Sequence, residues 1–176
     1  MPKLDLAAIK LVGFDVDGVL TDGRIIIDDE GREAKNFYSR DGLGLKILKS
    51  AGLEVALITG RESRLLEIRA RDLGLTEVYQ GVKDKWAVFE KVLKKNGLAP
   101  REAAFAGDDL VDLPVLARVG LALAPADAVP EVLAAAHFVA PAQGGRGAAR
   151  QMVEFILKGQ GRWDEVLRPY LPPAPA

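Results

Sequence analysis

The stretch Ile9-Lys10-Leu11-Val12-Gly13-Phe14-Asp15-Val16-Asp17-Gly18-Val19-Leu20-Thr21 decides how the chain is read. Residues 9–14 form an apolar run expected to be a buried strand, and Asp15 and Asp17 follow it two residues apart. If the chain leaves a sheet here, both carboxylates emerge at the strand's carboxyl end, where open α/β sheets place their ligands. Far along, Ala103-Ala104-Phe105-Ala106 repeats the pattern and breaks at Gly107 into Asp108-Asp109-Leu110-Val111-Asp112. Acidic side chains converging on strand ends suit a hard cation such as Mg²⁺ and a phosphate substrate. Each Asp alone fits a turn or a helix cap equally well, because its side chain accepts from nearby backbone N–H groups. The combination is what points to chemistry.

Outward from this stretch, Arg24-Ile25-Ile26-Ile27 and Glu33-Ala34-Lys35-Asn36-Phe37-Tyr38 flank Asp28-Asp29-Glu30-Gly31, which predicts a β-hairpin at about 23–39. Leu43, Leu45, Ile47 and Leu48 begin a helical face ended by Gly52, and a strand over 54–58 stops at Thr59-Gly60-Arg61. The alternation continues with helices near 62–73, 84–96, 113–118, 130–135 and 147–158, and strands at 77–79, 103–106, 120–123 and 137–140. Such spacing predicts an α/β fold of three layers, Rossmann-like, with a mostly parallel sheet and helices on both faces. Residues 1–160 are expected to form one domain and 161–176 a C-terminal tail, whose Pro-rich end from Arg168 predicts extended chain.

Lys and Arg number 24 against 25 Asp and Glu, so neither a nucleic-acid footprint nor a polybasic membrane patch is expected. Every apolar run is cut well before membrane-spanning length, which predicts a soluble, cytoplasmic protein. The absence of cysteine removes thiolate nucleophiles, disulfides and Cys-held zinc, and the single histidine, His137, is expected to be structural. Carboxylates must then carry any metal.

Taken together, Asp15-Val16-Asp17-Gly18-Val19-Leu20-Thr21, Ile58-Thr59-Gly60, Lys85 and Gly107-Asp108-Asp109-Leu110-Val111-Asp112 resemble the four motifs of the haloacid dehalogenase superfamily, in order. The resemblance implies Asp15 as a nucleophile that accepts the phosphoryl group and Asp17 as the acid that protonates the leaving alcohol and then deprotonates water. It also implies Mg²⁺ held by Asp15, the backbone carbonyl of Asp17 and Asp108, with Asp109 or Asp112 orienting the ligands. Thr59 and Lys85 would then contact phosphoryl oxygens, as would backbone N–H groups after Asp15. No separate cap domain fits between the motifs, so a neighbouring subunit is expected to complete the site. The apolar Ile25, Ile26, Ile27, Phe37 and Tyr38 make association through the hairpin the expected route.

Within the superfamily, Phe37-Tyr38-Ser39-Arg40-Asp41-Gly42, Ile58-Thr59-Gly60-Arg61, Ala124-Pro125-Ala126-Asp127-Ala128 and Gly144-Gly145-Arg146-Gly147 are similar to the 3-deoxy-D-manno-octulosonate 8-phosphate phosphatases. This implies a homotetramer that removes phosphate from a small acidic sugar during lipopolysaccharide biosynthesis. Gly60, Arg61, Arg64 and Arg146 are the candidate substrate-binding residues, with the arginines suited to a sugar carboxylate. The alternatives are a phosphatase for a nine-carbon, sialic-type or other sugar phosphate, which Arg61 disfavours because such relatives tend to carry an acid there, and a non-catalytic phosphate-responsive module.

Overall fold

The computed structural model describes residues 4–172. Along the chain come β1 (Leu11–Phe14), a hairpin of β2 (Ile26–Ile27) and β3 (Glu33–Ala34), α1 (Ser39–Ser50), β4 (Glu54–Ile58), α2 (Arg64–Leu73) and β5 (Glu77–Tyr79). They are followed by α3 (Lys85–Lys95), β6 (Ala103–Ala106), α4 (Leu113–Leu116), β7 (Leu121–Ala124), α5 (Pro130–Ala135), β8 (Phe138–Val139), α6 (Ala148–Gly159) and α7 (Trp163–Leu167). The main sheet has the order β5-β4-β1-β6-β7-β8 and every pairing in it is parallel. The chain winds outward from β1 in both directions. The crevice outside the carboxyl ends of β4, β1 and β6 is therefore the topological switch point.

Alternation along the strands divides the core into two layers. Val12, Phe14, Val55, Leu57, Ala104 and Leu121 face α1, α2 and α6, while Leu11, Ala56, Ile58, Phe105 and Ala122 face α3, α4 and α5. On the second face, the rings of Phe89 and Phe105 meet edge-on at 5.2 Å. Gly13 of β1 lies against both, and a Cβ there would collide with them. The interruption of an otherwise apolar strand by glycine is thus a packing requirement.

Helix boundaries follow the local signals. Asp84 caps α3 by accepting from the Ala87 N–H at 3.0 Å, and Gly74 ends α2 in the left-handed region at φ 67°. Between β1 and β4 the chain carries only the hairpin and α1, and between β4 and β5 only α2, so no cap domain is inserted. His137 is structural: its Nδ1 accepts from the Ala122 N–H at 2.9 Å, standing in for a strand carbonyl.

Two expectations are corrected. The hairpin ladder is only two residues long on each side, and Phe37 and Tyr38 lie outside it. Phe37 packs on the main core of its own subunit, so it is not free for association. At the other end, Trp163–Leu167 is helical, with the Trp163 ring under the cationic heads of Arg150 and Lys158 at 5.3 and 5.4 Å. Arg168–Tyr170 then forms a 3₁₀ turn instead of extended chain, because Pro169 sits in the first turn, where a missing N–H costs nothing. The last four residues of the expected extended segment lie outside the described residues.

Candidate active site

Three adjacent strand ends deliver the acidic and hydroxyl groups. Asp15 follows β1, Thr59 follows β4 and Asp108 follows β6 by two residues, so neighbouring parallel strands bring them to one edge. Lys85 reaches them from the first position of α3. Asp15, Asp17, Thr59, Gly60, Arg61, Lys85, Asp108 and Asp109 line one cavity of about 350 Å³, together with Gly23, Val82, Lys83 and Val111.

The floor is tightly bonded. Asp15 Oδ1 accepts from the Val16 N–H at 2.7 Å and Oδ2 meets Lys85 Nζ at 2.9 Å. This engages the first backbone N–H after Asp15 within the loop itself. Lys85 Nζ also donates to Asp112 Oδ1 at 2.7 Å, and Asp112 Oδ2 accepts from the N–H groups of Asp108 and Asp109 at 3.0 and 3.2 Å. Fully buried Asp112 therefore fixes both the ammonium and the loop bearing Asp108. Asp109 is exposed, and its carboxylate accepts from the Leu110 N–H at 2.7 Å, holding the turn. Thr59, also buried, accepts from the Arg61 N–H at 3.3 Å.

The crowding of acids shows in their ionisation. Burial, reinforced by Asp112 and opposed by Lys85, pushes the Asp15 pKa up to about 6. Burial, then the charges of Asp15 and Asp112, pushes Asp108 up to about 8. Burial lowers the Lys85 pKa, but Asp15 and Asp112 outweigh it and the net shift is upward. A carboxylate oxygen from each of Asp15, Asp108 and Asp112 lies within 4.8 Å of the others, and Asp108 Oδ1 is buried without a hydrogen-bond partner. An all-oxygen, acid-rich set with an orphaned oxygen fits a hard divalent cation, which would relieve the mutual repulsion.

Glycine makes the close approaches possible. Gly18, at φ 90°, lies where a Cβ would collide with the Asp108 carboxylate. Gly144 packs against the Gly18 carbonyl, so the glycine-rich loop before α6 braces the first motif from beneath. Asp41 caps α6 across the fold, accepting from the N–H groups of Gly147 and Arg150 at 3.1 and 2.8 Å.

Two candidate arginines lie elsewhere. Arg64 is exposed on α2 and borders a different depression with Glu62, Ser63, Glu67 and Gln80. Arg146 borders a third with Tyr38, Arg40 and Arg150. Neither enters the Asp15 cavity of its own subunit: helix α2 turns Arg64 away from the strand ends, and the close seating of the loop's glycines leaves Arg146 pointing outward.

Sequence reasoning missed the hairpin's contribution to the site. Lys35, with only 4% of its side chain exposed, pairs with Asp17 and lies 3.7 Å from Glu33. Glu33 accepts from Arg61 at 3.1 Å and from the Ser63 hydroxyl at 2.6 Å, and Arg61 Nε lies 3.7 Å from Asp17 Oδ2. The available signal was the alternation of Glu33 and Lys35 on a short strand, which puts both on one face.

Comparison with known proteins bears on this geometry. A family model described as haloacid dehalogenase-like hydrolase matches residues 39–120. The chain is 45% identical over 157 residues to the 3-deoxy-D-manno-octulosonate 8-phosphate phosphatase KdsC of Escherichia coli K12, covering 89% of this chain and 84% of that protein. It superposes with a TM-score of 0.92 at 38% identity on the 3-deoxy-D-manno-octulosonate 8-phosphate phosphatase of Moraxella catarrhalis, solved with a magnesium ion, a phosphate ion and KDO, covering 94% of this chain and 95% of that one. A third similar structure, at 42% identity and a TM-score of 0.85, is the cobalt-bound deoxy-D-mannose-octulosonate 8-phosphate phosphatase of Haemophilus influenzae, covering 89% of this chain and 91% of that one.

Proposed function

The chain belongs to the 3-deoxy-D-manno-octulosonate 8-phosphate phosphatase family of haloacid dehalogenase-like hydrolases, and we propose that it releases phosphate from that eight-carbon sugar acid, in lipopolysaccharide biosynthesis. The observation that carries the reading is the meeting of Asp15, Asp108, Asp112 and Lys85 at the carboxyl ends of neighbouring strands, with Asp17 and Thr59 beside them. In the reaction, an Asp15 carboxylate oxygen forms a bond to phosphorus as the bond to the sugar oxygen breaks, and Asp17 gives that oxygen its proton. Asp17 then takes a proton from water as the water oxygen bonds to phosphorus and Asp15 is released. Lys85 and the Thr59 hydroxyl place positive charge and a donor against phosphoryl oxygens. Asp15, Asp108 and the Asp17 carbonyl, steadied by Asp112, would hold Mg²⁺, which would supply offsetting charge there.

Arg61 is the substrate-facing cation: it borders the cavity, steadied from behind by Glu33 at 3.1 Å. Its guanidinium suits the sugar carboxylate, with Gly60 leaving room for close approach. Arg64 and Arg146 border depressions outside this cavity in their own subunit. Assembly into a homotetramer runs through the hairpin, where Ile25, Ile26 and Ile27 are 60%, 42% and 57% exposed side by side. No helix among the described residues is long and apolar enough to cross a membrane; a cytoplasmic setting is the one in which a charged sugar phosphate would be met.

Phosphate release from the eight-carbon ester, measured beside its nine-carbon analogue with Mg²⁺ and with chelator, tests this reading. Preference for the eight-carbon ester and loss of activity with chelator are expected. Equal rates on all esters would remove the assignment.

A further inference from the structure

We propose that Lys35 is a positioning residue for the acid–base step: the hairpin sends its ammonium into the site to hold one oxygen of Asp17 and leave the other free to carry the proton. This rests on the reading of Asp17 as the acid and base. Asp17 Oδ1 is paired with Lys35 Nζ and lies 3.4 Å from the Thr21 hydroxyl. Oδ2 is buried without a hydrogen-bond partner, facing Arg61 Nε in the cavity that holds Asp15. The two oxygens are thus not equivalent: Oδ1 is engaged by Lys35, whereas Oδ2 has no hydrogen-bond partner.

Burying an ammonium is costly unless it is paired, and a two-residue strand gives little packing to offset that cost. Lys35 is nonetheless almost fully enclosed, between Asp17 and Glu33. Glu33 is itself tied to Ser63 at 2.6 Å and to Arg61 at 3.1 Å, both in the segment after β4. The chain of contacts runs from the segment after β4 through the hairpin and back to the Asp17 carboxylate. A side chain that can rotate about two bonds is held in one setting, which is where a proton-transfer group gains rate.

Protonated Oδ2 gives its proton to the ester oxygen as the bond from that oxygen to phosphorus breaks and an Asp15 carboxylate oxygen bonds to phosphorus. Ionised Oδ2 then receives a proton from the water whose oxygen displaces Asp15.

The full-length enzyme with Mg²⁺ is compared in wild-type, Lys35→Met, Lys35→Arg and Asp17→Asn forms on two esters. One is the sugar phosphate that the wild type turns over fastest; the other is p-nitrophenyl phosphate, whose leaving group departs without a proton. For Lys35→Met, sugar-ester kcat is expected to fall roughly 10- to 100-fold with KM within about threefold. The first turnover of the aryl ester stays within about threefold of wild type and is followed by a slow phase, since water attack on phosphorylated Asp15 still needs Oδ2. That burst also reports that the variant is folded. Lys35→Arg is expected to recover most of the sugar-ester rate. Equal first-turnover losses on both esters, no loss on either, or no recovery with arginine would overturn the positioning role. Asp17→Asn separates the two readings: if it turns over the sugar ester normally the acid–base assignment falls, and if it fails while Lys35→Met is unaffected only the role of Lys35 falls.

Discussion

The floor of the cavity and the hairpin that reaches its rim are built on opposite principles. Asp15, Asp108, Asp112 and Lys85 are anchored to strand ends and the start of a helix, and are bonded to one another. Glu33 and Lys35 hang from a ladder of two residue pairs whose other side, Ile25 to Ile27, is bare. The floor needs no help from outside its subunit to hold its geometry. The hairpin is short of packing and draws order from ion pairs to the site. Charge that must be placed accurately is thus set on the sheet, while groups that orient it are lent by an element with little packing of its own.

The largest effect on this contrast comes from Asp15→Asn. An amide of the same shape cannot form the phosphorylated intermediate, so turnover is expected to fall by roughly 10⁴-fold or more. The floor should survive, because Asp112 still pairs with Lys85 and still bonds the Asp108 loop. Phosphate release measures the first outcome and the thermal midpoint the second. Substantial activity in this variant would end the covalent role, and collapse of the fold would show that the floor depends on Asp15 itself.

A second effect follows from the carboxylate pKa values raised by burial and by neighbouring acids, to about 6 at Asp15 and about 8 at Asp108. Without a cation, the folded chain holds more protons than the unfolded one between the ordinary carboxylate range and about pH 8. Its stability must then fall as pH rises through that window. A divalent cation has to displace those protons, so apparent Mg²⁺ affinity should rise with pH by up to about tenfold per unit while one proton is displaced. Titration calorimetry in buffers of different ionisation enthalpy reads the proton release, and the thermal midpoint with and without Mg²⁺ should diverge between pH 5 and 8. A Mg²⁺ effect that does not change with pH would mean that the acids do not share the ion.

This difference also explains what the sequence could disclose. Asp15, Asp17, Thr59 and Asp108 were legible because each follows an apolar run, and parallel strands send all such positions to one edge. Lys85 was legible only through the resemblance; alone it is a lysine beside Asp84. The opposed roles of Asp109 and Asp112 were not separable in sequence, since only the turn at Leu110–Asp112 buries one and exposes the other. Glu33 and Lys35 escaped because their partners lie on other segments, at 28 residues for Glu33 to Arg61 and 18 for Lys35 to Asp17. Arg64 and Arg146, which border depressions outside the Asp15 cavity of their own subunit, show the complementary limit. Nearness in sequence to Thr59 or to a helix start says nothing about which way a long side chain is turned.

The smallest effect on the subunit itself is expected from Ile27→Lys, and it tests the hairpin side of the contrast most directly. Ile27 is 57% exposed, so replacing it removes little buried area within one chain. Subunit stability should stay within about 0.5 kcal/mol of wild type when measured under dissociating dilution. If the proposed association through these isoleucines holds, an ammonium at position 27 would have to be desolvated on assembly. The variant should therefore have a lower mass in sedimentation or light scattering at concentrations where wild type is assembled. If the hairpin also needs assembly to keep Lys35 and Glu33 in place, sugar-ester turnover falls together with the mass while the Mg²⁺ affinity of the floor is unchanged. Wild-type mass in this variant would show that the isoleucines are not the assembly surface. A lower mass with full activity would show that ion pairs to Asp17 and Arg61 hold the hairpin without a neighbour.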